Sequence, residues 1–237
     1  MRLVSQARKI VMRGGGGSGS GGGGGEIASR KKLLRSEVKA KLASMTKEQA
    51  TSESTSVAAA LMSWVPFKNA RSVGLYVSCP KLKEIQTAEL IEACLRERKV
   101  CYVPKTKGDG HMVMLPIKSL SDLEPAPPYN IPEPKERDER GNLKPEATDE
   151  GLDVFVIPGL AFDTKGRRLG RGAGYYDIYL EKLLREGEKA RRPKPLIAAL
   201  CFSCQVVPEV PCEEHDMRVD ALLTPEMHFD CQEEARG

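Results

Sequence analysis

No stretch of the 237-residue chain approaches the run of about eighteen apolar residues that a membrane-spanning helix needs. That absence predicts a soluble protein with no membrane partner. No internal repeat is present, which excludes a solenoid or propeller. A charge excess in the body of the chain is also missing. The formal net charge of +4 comes from Arg2, Arg8, Lys9 and Arg13, all ahead of the first acid, Glu26; the remainder carries 33 basic and 33 acidic residues. A neutral body lacks the electrostatic footprint of a nucleic-acid binder, so no nucleic-acid partner is expected. Paired metal-type cysteine motifs are lacking. The seven cysteines include one Cys-x-x-Cys, Cys201-Phe202-Ser203-Cys204, with no second such pair. An odd number of thiols scattered through apolar runs fits a reduced, cytosol-like compartment, and Cys201 reads as a core thiol within a strand. Histidine is scarce, and none of His111, His215 or His228 shows a catalytic partner. That disfavours the acid/base or nucleophilic chemistry of a phosphosugar isomerase or an acyl-carrier transferase.

The apolar fraction of 40% supports a sizeable core, and the length fits one large α/β domain or two small ones. Residues 1–25 stand apart. Met1 to Arg13 is basic without acids, weakly like an organellar presequence. Gly14 to Gly25 holds ten glycines and two serines, the composition of a flexible coil, whether natural low complexity or an engineered linker. A mitochondrial matrix location follows if the first thirteen residues act as a presequence, and a cytosolic one if they do not.

From Glu26 to Ser44 the apolar positions Ile27, Leu34, Val38, Leu42 and Met45 recur at helical spacing, with lysines and arginines on the other faces. Thr46 and Gln49 form a capping box for a second helix that runs toward Trp64 and ends at Pro66. Ser72 to Ser78 reads as a strand, Thr87 to Arg98 as a helix, and Val100 to Val103 as a strand stopped by Pro104. His111 to Leu115 reads as a further strand. This alternation is the mark of βαβ units on a parallel sheet. Pro125 to Pro134 reads as a rigid proline loop and 135–150 as a mobile, charged surface insertion. Leu196 to Phe202 and Val219 to Thr224 are strands, followed by a frayed tail from Pro225.

The chemistry concentrates in Arg168-Leu169-Gly170-Arg171-Gly172-Ala173-Gly174-Tyr175-Tyr176-Asp177, between a buried strand, Leu152 to Ile157, and a helix starting at Tyr175. Glycine permits positive φ and close approach of a ligand. The first turn of a helix offers unpaired amides at the positive end of its dipole. Together they make an anion site, most often for phosphate. Arg168 and Arg171 add fork-shaped cations suited to phosphate oxygens. Asp177, in the first helical turn, is placed to hold a magnesium ion shared with a nucleotide phosphate. No Gly-Lys-Ser/Thr follows the glycines, so this is not a P-loop.

The pattern Phe162-Asp163-x-x-Gly166-x-Arg168-Leu169-Gly170-x-Gly172-x-Gly174-Tyr175-Tyr176-Asp177 resembles the signature of the 5-formyltetrahydrofolate cyclo-ligase family. Other blocks agree in order: Lys31-Lys32-Leu33-Leu34-Arg35, Tyr76-Val77-Ser78 with Glu84-Ile85-x-Thr87, Tyr129-Asn130-Ile131-Pro132-Glu133-Pro134, and His215-Asp216-x-x-Val219-Asp220. The resemblance covers about residues 29–225. It implies a three-layer α/β/α sandwich on a mainly parallel sheet, spanning 26–225 as one catalytic α/β domain with a tail at 226–237. The implied reaction is an ATP- and Mg2+-dependent closure of 5-formyltetrahydrofolate to 5,10-methenyltetrahydrofolate. The formyl oxygen takes the γ-phosphoryl group, N10 attacks the activated carbon, and ADP and phosphate leave. By the same resemblance, Arg168 and Arg171 are catalytic. ATP is held by Lys31, Lys32, Leu33, Leu34 and Arg35 together with the block from Arg168 to Tyr176. Magnesium is held by Asp177 and Asp216. Folate is contacted by Arg35, Val77, Glu84, Tyr129, Arg171, Gly172, Ala173, Gly174 and Tyr175. The substrate is a reduced folate and the expected state is a monomer. Two departures stand out: the loop before Glu84 is about two residues longer than the family pattern, and Ala173 replaces a common glycine or lysine.

Overall fold

The computed structural model describes residues 23–108, 110–127, 130–213 and 216–231; Tyr129 and His215 lie outside the described residues. Three helices, α1 (Gly23–Ser44), α2 (Lys47–Ser63) and α3 (Val65–Asn69), precede β1 (Ser72–Gly74), α4 (Ala88–Arg96), β2 (Val100–Thr106) and β3 (Met112–Ile117). A small hairpin of β4 (Leu123–Ala126) and β5 (Ile131–Pro134) leads through α5 (Ala147–Glu150) to β6 (Val154–Ile157). Then come the short hairpin β7 (Ala161–Phe162) and β8 (Arg168–Leu169), α6 (Tyr175–Lys189), β9 (Leu196–Leu200), β10 (Ala221–Leu223) and β11 (His228–Asp230).

Seven strands form one sheet in the order β11-β10-β9-β6-β1-β2-β3. The five inner strands are parallel, and β3 and β11 pair antiparallel at the two edges. Side-chain alternation along β6 sorts the core into two layers. Val154 and Val156 pack with Val38, Val57, Leu61, Leu90 and Ile91 of α1, α2 and α4. Phe155 and Ile157 pack with Tyr179, Leu180 and Leu183 of α6. Helices therefore cover both faces, as expected for a doubly covered parallel sheet.

The capping box is formed: Gln49 N donates to Thr46 Oγ1 at 3.1 Å, and Thr46 N donates to the Gln49 side chain at 2.9 Å. Thr46→Ala should destabilise the fold by about 1 kcal/mol, read as a lowered urea midpoint with an unchanged m-value. Pro66 lies in the first turn of α3, where its missing N–H is not needed.

Five sequence expectations are corrected. Pro104 does not stop its strand. Tyr102 accepts from the Leu75 amide at 2.9 Å, so Tyr102, and Pro104 two residues on, turn their main-chain polar groups toward β1. Since β1 pairs with β2 only as far as Tyr102, Pro104 lacks an N–H where no ladder bond is due. For the same reason the Ser72–Ser78 strand shortens to Ser72–Gly74. Pro125 to Pro134 is a two-stranded hairpin rather than a loop; its prolines are tolerated because each strand has a single neighbour. Nor is the tail from Pro225 wholly frayed. Thr224 Oγ1 accepts the Met227 amide at 3.0 Å, closing a turn that returns β11 along β10, with Cys231 buried behind it. Within 135–150, Arg137 bridges Leu143, and Ala147 and Thr148 of α5 are buried, so the second half of that segment is integral to the fold.

Candidate functional site

The chain leaves β1 toward β2 on one side and returns to β6 on the other. β1 and β6 are thus adjacent parallel strands whose outgoing loops diverge, and ligands of open α/β sheets bind in the crevice at such a switch point. The loop after β1 carries Val77 and Glu84, and the loop after β6 carries the glycine block.

The β6 loop is held by buried polar chemistry. Asp163 is fully buried. Its Oδ1 accepts the amides of Lys165 and Arg167, and its Oδ2 accepts Arg167 Nε at 2.6 Å and the Val210 amide at 2.9 Å. Gly166 has φ +75°, and a Cβ there would lie 2.3 Å from the Val219 carbonyl oxygen, so only glycine fits this turn. Beyond β8, Gly172 and Gly174 take φ of +111° and +76°. Gly174 is the N-cap of α6 and contributes no side-chain cap, so no side-chain cap engages the amides of the first turn. Ala173 is not among the positive-φ residues, which explains why a side chain is accepted there.

Two elements converge on this loop. From α1, Arg35 Nε donates to the Gly170 carbonyl at 2.9 Å. Arg171 reaches across the crevice to the β1 loop: its Nη2 donates to the Leu82 carbonyl, and its Nε stands 3.5 Å from Glu84 Oε1. The other Glu84 oxygen accepts the Cys79 amide at 3.0 Å. Burial pushes the Glu84 carboxyl above the usual carboxylate range, against the opposing pull of the Cys79 amide and Arg171. The long β1 loop is pinned at both ends. Thr87 Oγ1 donates to the Tyr76 carbonyl at 2.8 Å and accepts the Ser78 amide at 3.0 Å, and Lys83 Nζ donates to the Met45 carbonyl at 3.0 Å. The extra residues before Glu84 therefore leave it beside Arg171.

On α1, Lys31 is buried and donates to Asp216 Oδ2 at 2.5 Å and Glu213 Oε2 at 2.8 Å. Burial lowers its pKa, but the hydrogen bonds with the two carboxylates outweigh that and raise it above the ordinary lysine value. Leu34 and Arg35 are half-buried, while Lys32 and Leu33 are exposed. Arg168 turns inward instead of toward the loop surface. Its side chain is 3% exposed; Nη2 donates to Asp177 Oδ1 at 2.6 Å and Nη1 to the Pro158 carbonyl at 3.1 Å. Its Nε is buried without a partner among the described residues. The described partners of the Arg168 guanidinium are thus Asp177 and the Pro158 carbonyl. Sequence reasoning missed Glu213, whose only signal was the acidic run before the last core strand, and the carbonyls of Leu82 and Pro158, which no side chain announces.

Among the described residues no group of three or more His, Cys, Asp or Glu gathers as a metal site. Asp177 and Asp216 are hard carboxylates, each next to a cation, with Glu213 beside Asp216 on Lys31. Such donors suit magnesium, which takes one or two protein carboxylates and fills its shell with water and phosphate oxygens; they do not suit zinc. No helix is long and apolar enough to cross a membrane among the described residues.

The fold and site thus define an α/β protein with a glycine-rich loop at a topological switch point, from which Arg171 reaches across to the neighbouring loop. The sequence pattern of the 5-formyltetrahydrofolate cyclo-ligase family matches residues 27–225, and the chain belongs to that family. It is 32% identical to the mouse 5-formyltetrahydrofolate cyclo-ligase over 201 residues, covering 83% of this chain and 94% of that one. It is 34% identical over 209 residues to the mitochondrial 5-formyltetrahydrofolate cyclo-ligase of Arabidopsis thaliana, covering 84% and 75%. The Aquifex aeolicus 5,10-methenyltetrahydrofolate synthetase superposes with a TM-score of 0.68 at 30% identity, over 85% of this chain and 93% of that one. The three-layer α/β architecture expected from the sequence agrees with that neighbour.

Proposed function

We propose that this chain is a 5-formyltetrahydrofolate cyclo-ligase that spends ATP, with magnesium, to close 5-formyltetrahydrofolate to 5,10-methenyltetrahydrofolate. Family membership supports the reaction. The observation that carries it to these residues is Arg171 spanning the switch-point crevice from the glycine loop to Glu84.

Phosphoryl transfer depends on positioning and charge stabilisation. In this reading the amides from Gly170 to Tyr176 and the Arg171 guanidinium hold the ATP phosphates, with Lys31 and Arg35 closing from α1; exposed Lys32 and Leu33 contribute at the outer rim. Arg168 keeps Asp177 aimed. Asp177 and Asp216 would hold magnesium, which when bound supplies positive charge against the phosphates. Arg35, Val77, Glu84, Tyr129 and the segment Arg171 to Tyr175 would line the folate side. Ring closure is intramolecular, so the protein's task is to hold N10 against the activated formyl carbon, which supplies much of the rate. The protein acts as a monomer in this reading, in the cytosol or the mitochondrial matrix.

The test mixes protein, 5-formyltetrahydrofolate, magnesium and ATP and follows the near-ultraviolet band of the methenyl product. An ATP-dependent rise is expected, reduced about 10²-fold or more in Asp177→Ala. Binding of folate and ATP without any rise would instead identify a folate-binding protein that has lost turnover.

A further inference from the structure

Arg171 is shared between two sets of partners. Its guanidinium is already engaged, by the Leu82 carbonyl and by Glu84 at 3.5 Å, yet it projects from the loop built to receive an anion. Glu84 depends on it. The Glu84 side chain is 9% exposed and has the Cys79 amide as its other partner. The remaining titratable groups that face it are Tyr76, just beyond β1, and Tyr176, on α6. Burial pushes both phenols up, so both stay neutral and neither offers a positive charge. Among the described residues Arg171 is therefore the cation that balances Glu84.

We infer that Arg171 serves two anions in turn, and that Glu84 takes up a proton when a nucleoside triphosphate draws Arg171 onto its phosphates. The inference rests on the cyclo-ligase reading for one point, that Arg171 is a phosphate ligand. A buried carboxylate stripped of its cation is strongly disfavoured, and such a group neutralises instead. The proton comes from solvent and goes onto a Glu84 oxygen; no carbon bond changes. Burial already holds the Glu84 carboxyl above its usual range with Arg171 in place, so loss of that partner acts in the same direction. Protonation also removes a negative charge from a crevice that must accept a polyanionic nucleotide and an anionic folate. Glu84 is thus the group that makes nucleotide binding pH-dependent.

The test is calorimetric titration of the full chain with a magnesium-bound, non-hydrolysable ATP analogue, in buffers of differing ionisation enthalpy at neutral to mildly alkaline pH. Wild type should show heats that vary with the buffer in the sense of proton uptake. Its affinity should fall as pH rises, by up to about tenfold per unit. Glu84→Gln should lose that buffer dependence and flatten the pH profile. Arg171→Met provides a second variant: its Glu84 is already without a cation before ligand arrives, so uptake on binding should vanish there too. Saturable binding with buffer-independent heats in wild type, or equal uptake in Glu84→Gln, would overturn the inference and leave the cyclo-ligase reading standing. No saturable nucleotide binding to wild type would overturn that reading, and this inference with it.

Discussion

Arg171→Ala should lower kcat/KM for ATP-dependent methenyl formation by about 10³-fold, the loss typical of removing one preorganised charge donor from a water-poor site. Arg171 is 25% exposed and reaches across the crevice on main-chain and carboxylate partners. In the proposed reading its removal takes away the cation that the glycine loop offers to the transferring phosphoryl group. The loss should appear mainly in kcat, because interactions that strengthen in the transition state govern turnover rather than ground-state affinity. Arg171→Lys should recover only part of the rate: it keeps the charge but loses the fork that engages two partners at once. The variant should remain folded, since no apolar core side chain is touched and Glu84, left without its cation, can neutralise by taking up a proton. A purified Arg171→Ala protein with a wild-type thermal transition and undiminished kcat/KM would remove Arg171 from the reaction.

How far the sequence revealed this site depends on which residues act through local geometry. Gly172 and Gly174 were readable because positive φ at a helix start is a local demand, and Gly166 because the turn it closes is local too. The α6 boundary followed from the same glycines. Arg35 and Lys31 were readable as a basic helix, but which of Lys31, Lys32 and Arg35 faces the body depends on the docking of α1 against β7 and the chain beyond Phe202, a tertiary property. Arg168 shows the limit more sharply. Arg171 has the same chemistry and lies three residues on in the same block, yet one side chain is buried on Asp177 and Pro158 while the other spans the crevice. Arg168 belongs to β8, both of whose residues are buried, while Arg171 lies in the loop beyond it; a strand only two residues long gives no periodicity that would announce this. The edges of the sheet were the least legible. Pro104 and the 225–231 turn read as breakers because their backbone groups lack partners locally; only the pairing of neighbouring strands shows that none is needed at Pro104 and that β10 supplies one for β11.

The largest stability effect should come from Asp163, a residue the family signature includes and whose role is structural. Asp163→Ala is expected to destabilise the fold by about 3–5 kcal/mol, the usual penalty for removing one partner of a buried charge network. Four donors converge on this fully buried carboxylate: the amides of Lys165, Arg167 and Val210, and Arg167 Nε. Alanine would leave all four without their acceptor while the surrounding chain stays closed. Arg167 would keep one contact, Nη1 to Glu209 at 3.1 Å, but that carboxylate is 58% exposed and offsets little. Asp163→Asn keeps the shape and one acceptor oxygen but turns an amide NH2 toward donors, and should cost about 2 kcal/mol. Urea unfolding of both variants gives the comparison. Since the network fixes the β7–β8 hairpin that launches Arg168 and the glycine loop, Asp163→Asn should also raise KM for ATP under conditions where it is fully folded. Arg30, 3.8 Å from Glu209, would leave stability within a few tenths of a kcal/mol when replaced, being an exposed pair. Equal losses for Asp163→Ala and Arg30→Ala would show that the hairpin is held by its own pairing and by the Phe162–Val206 bridge and not by the buried carboxylate.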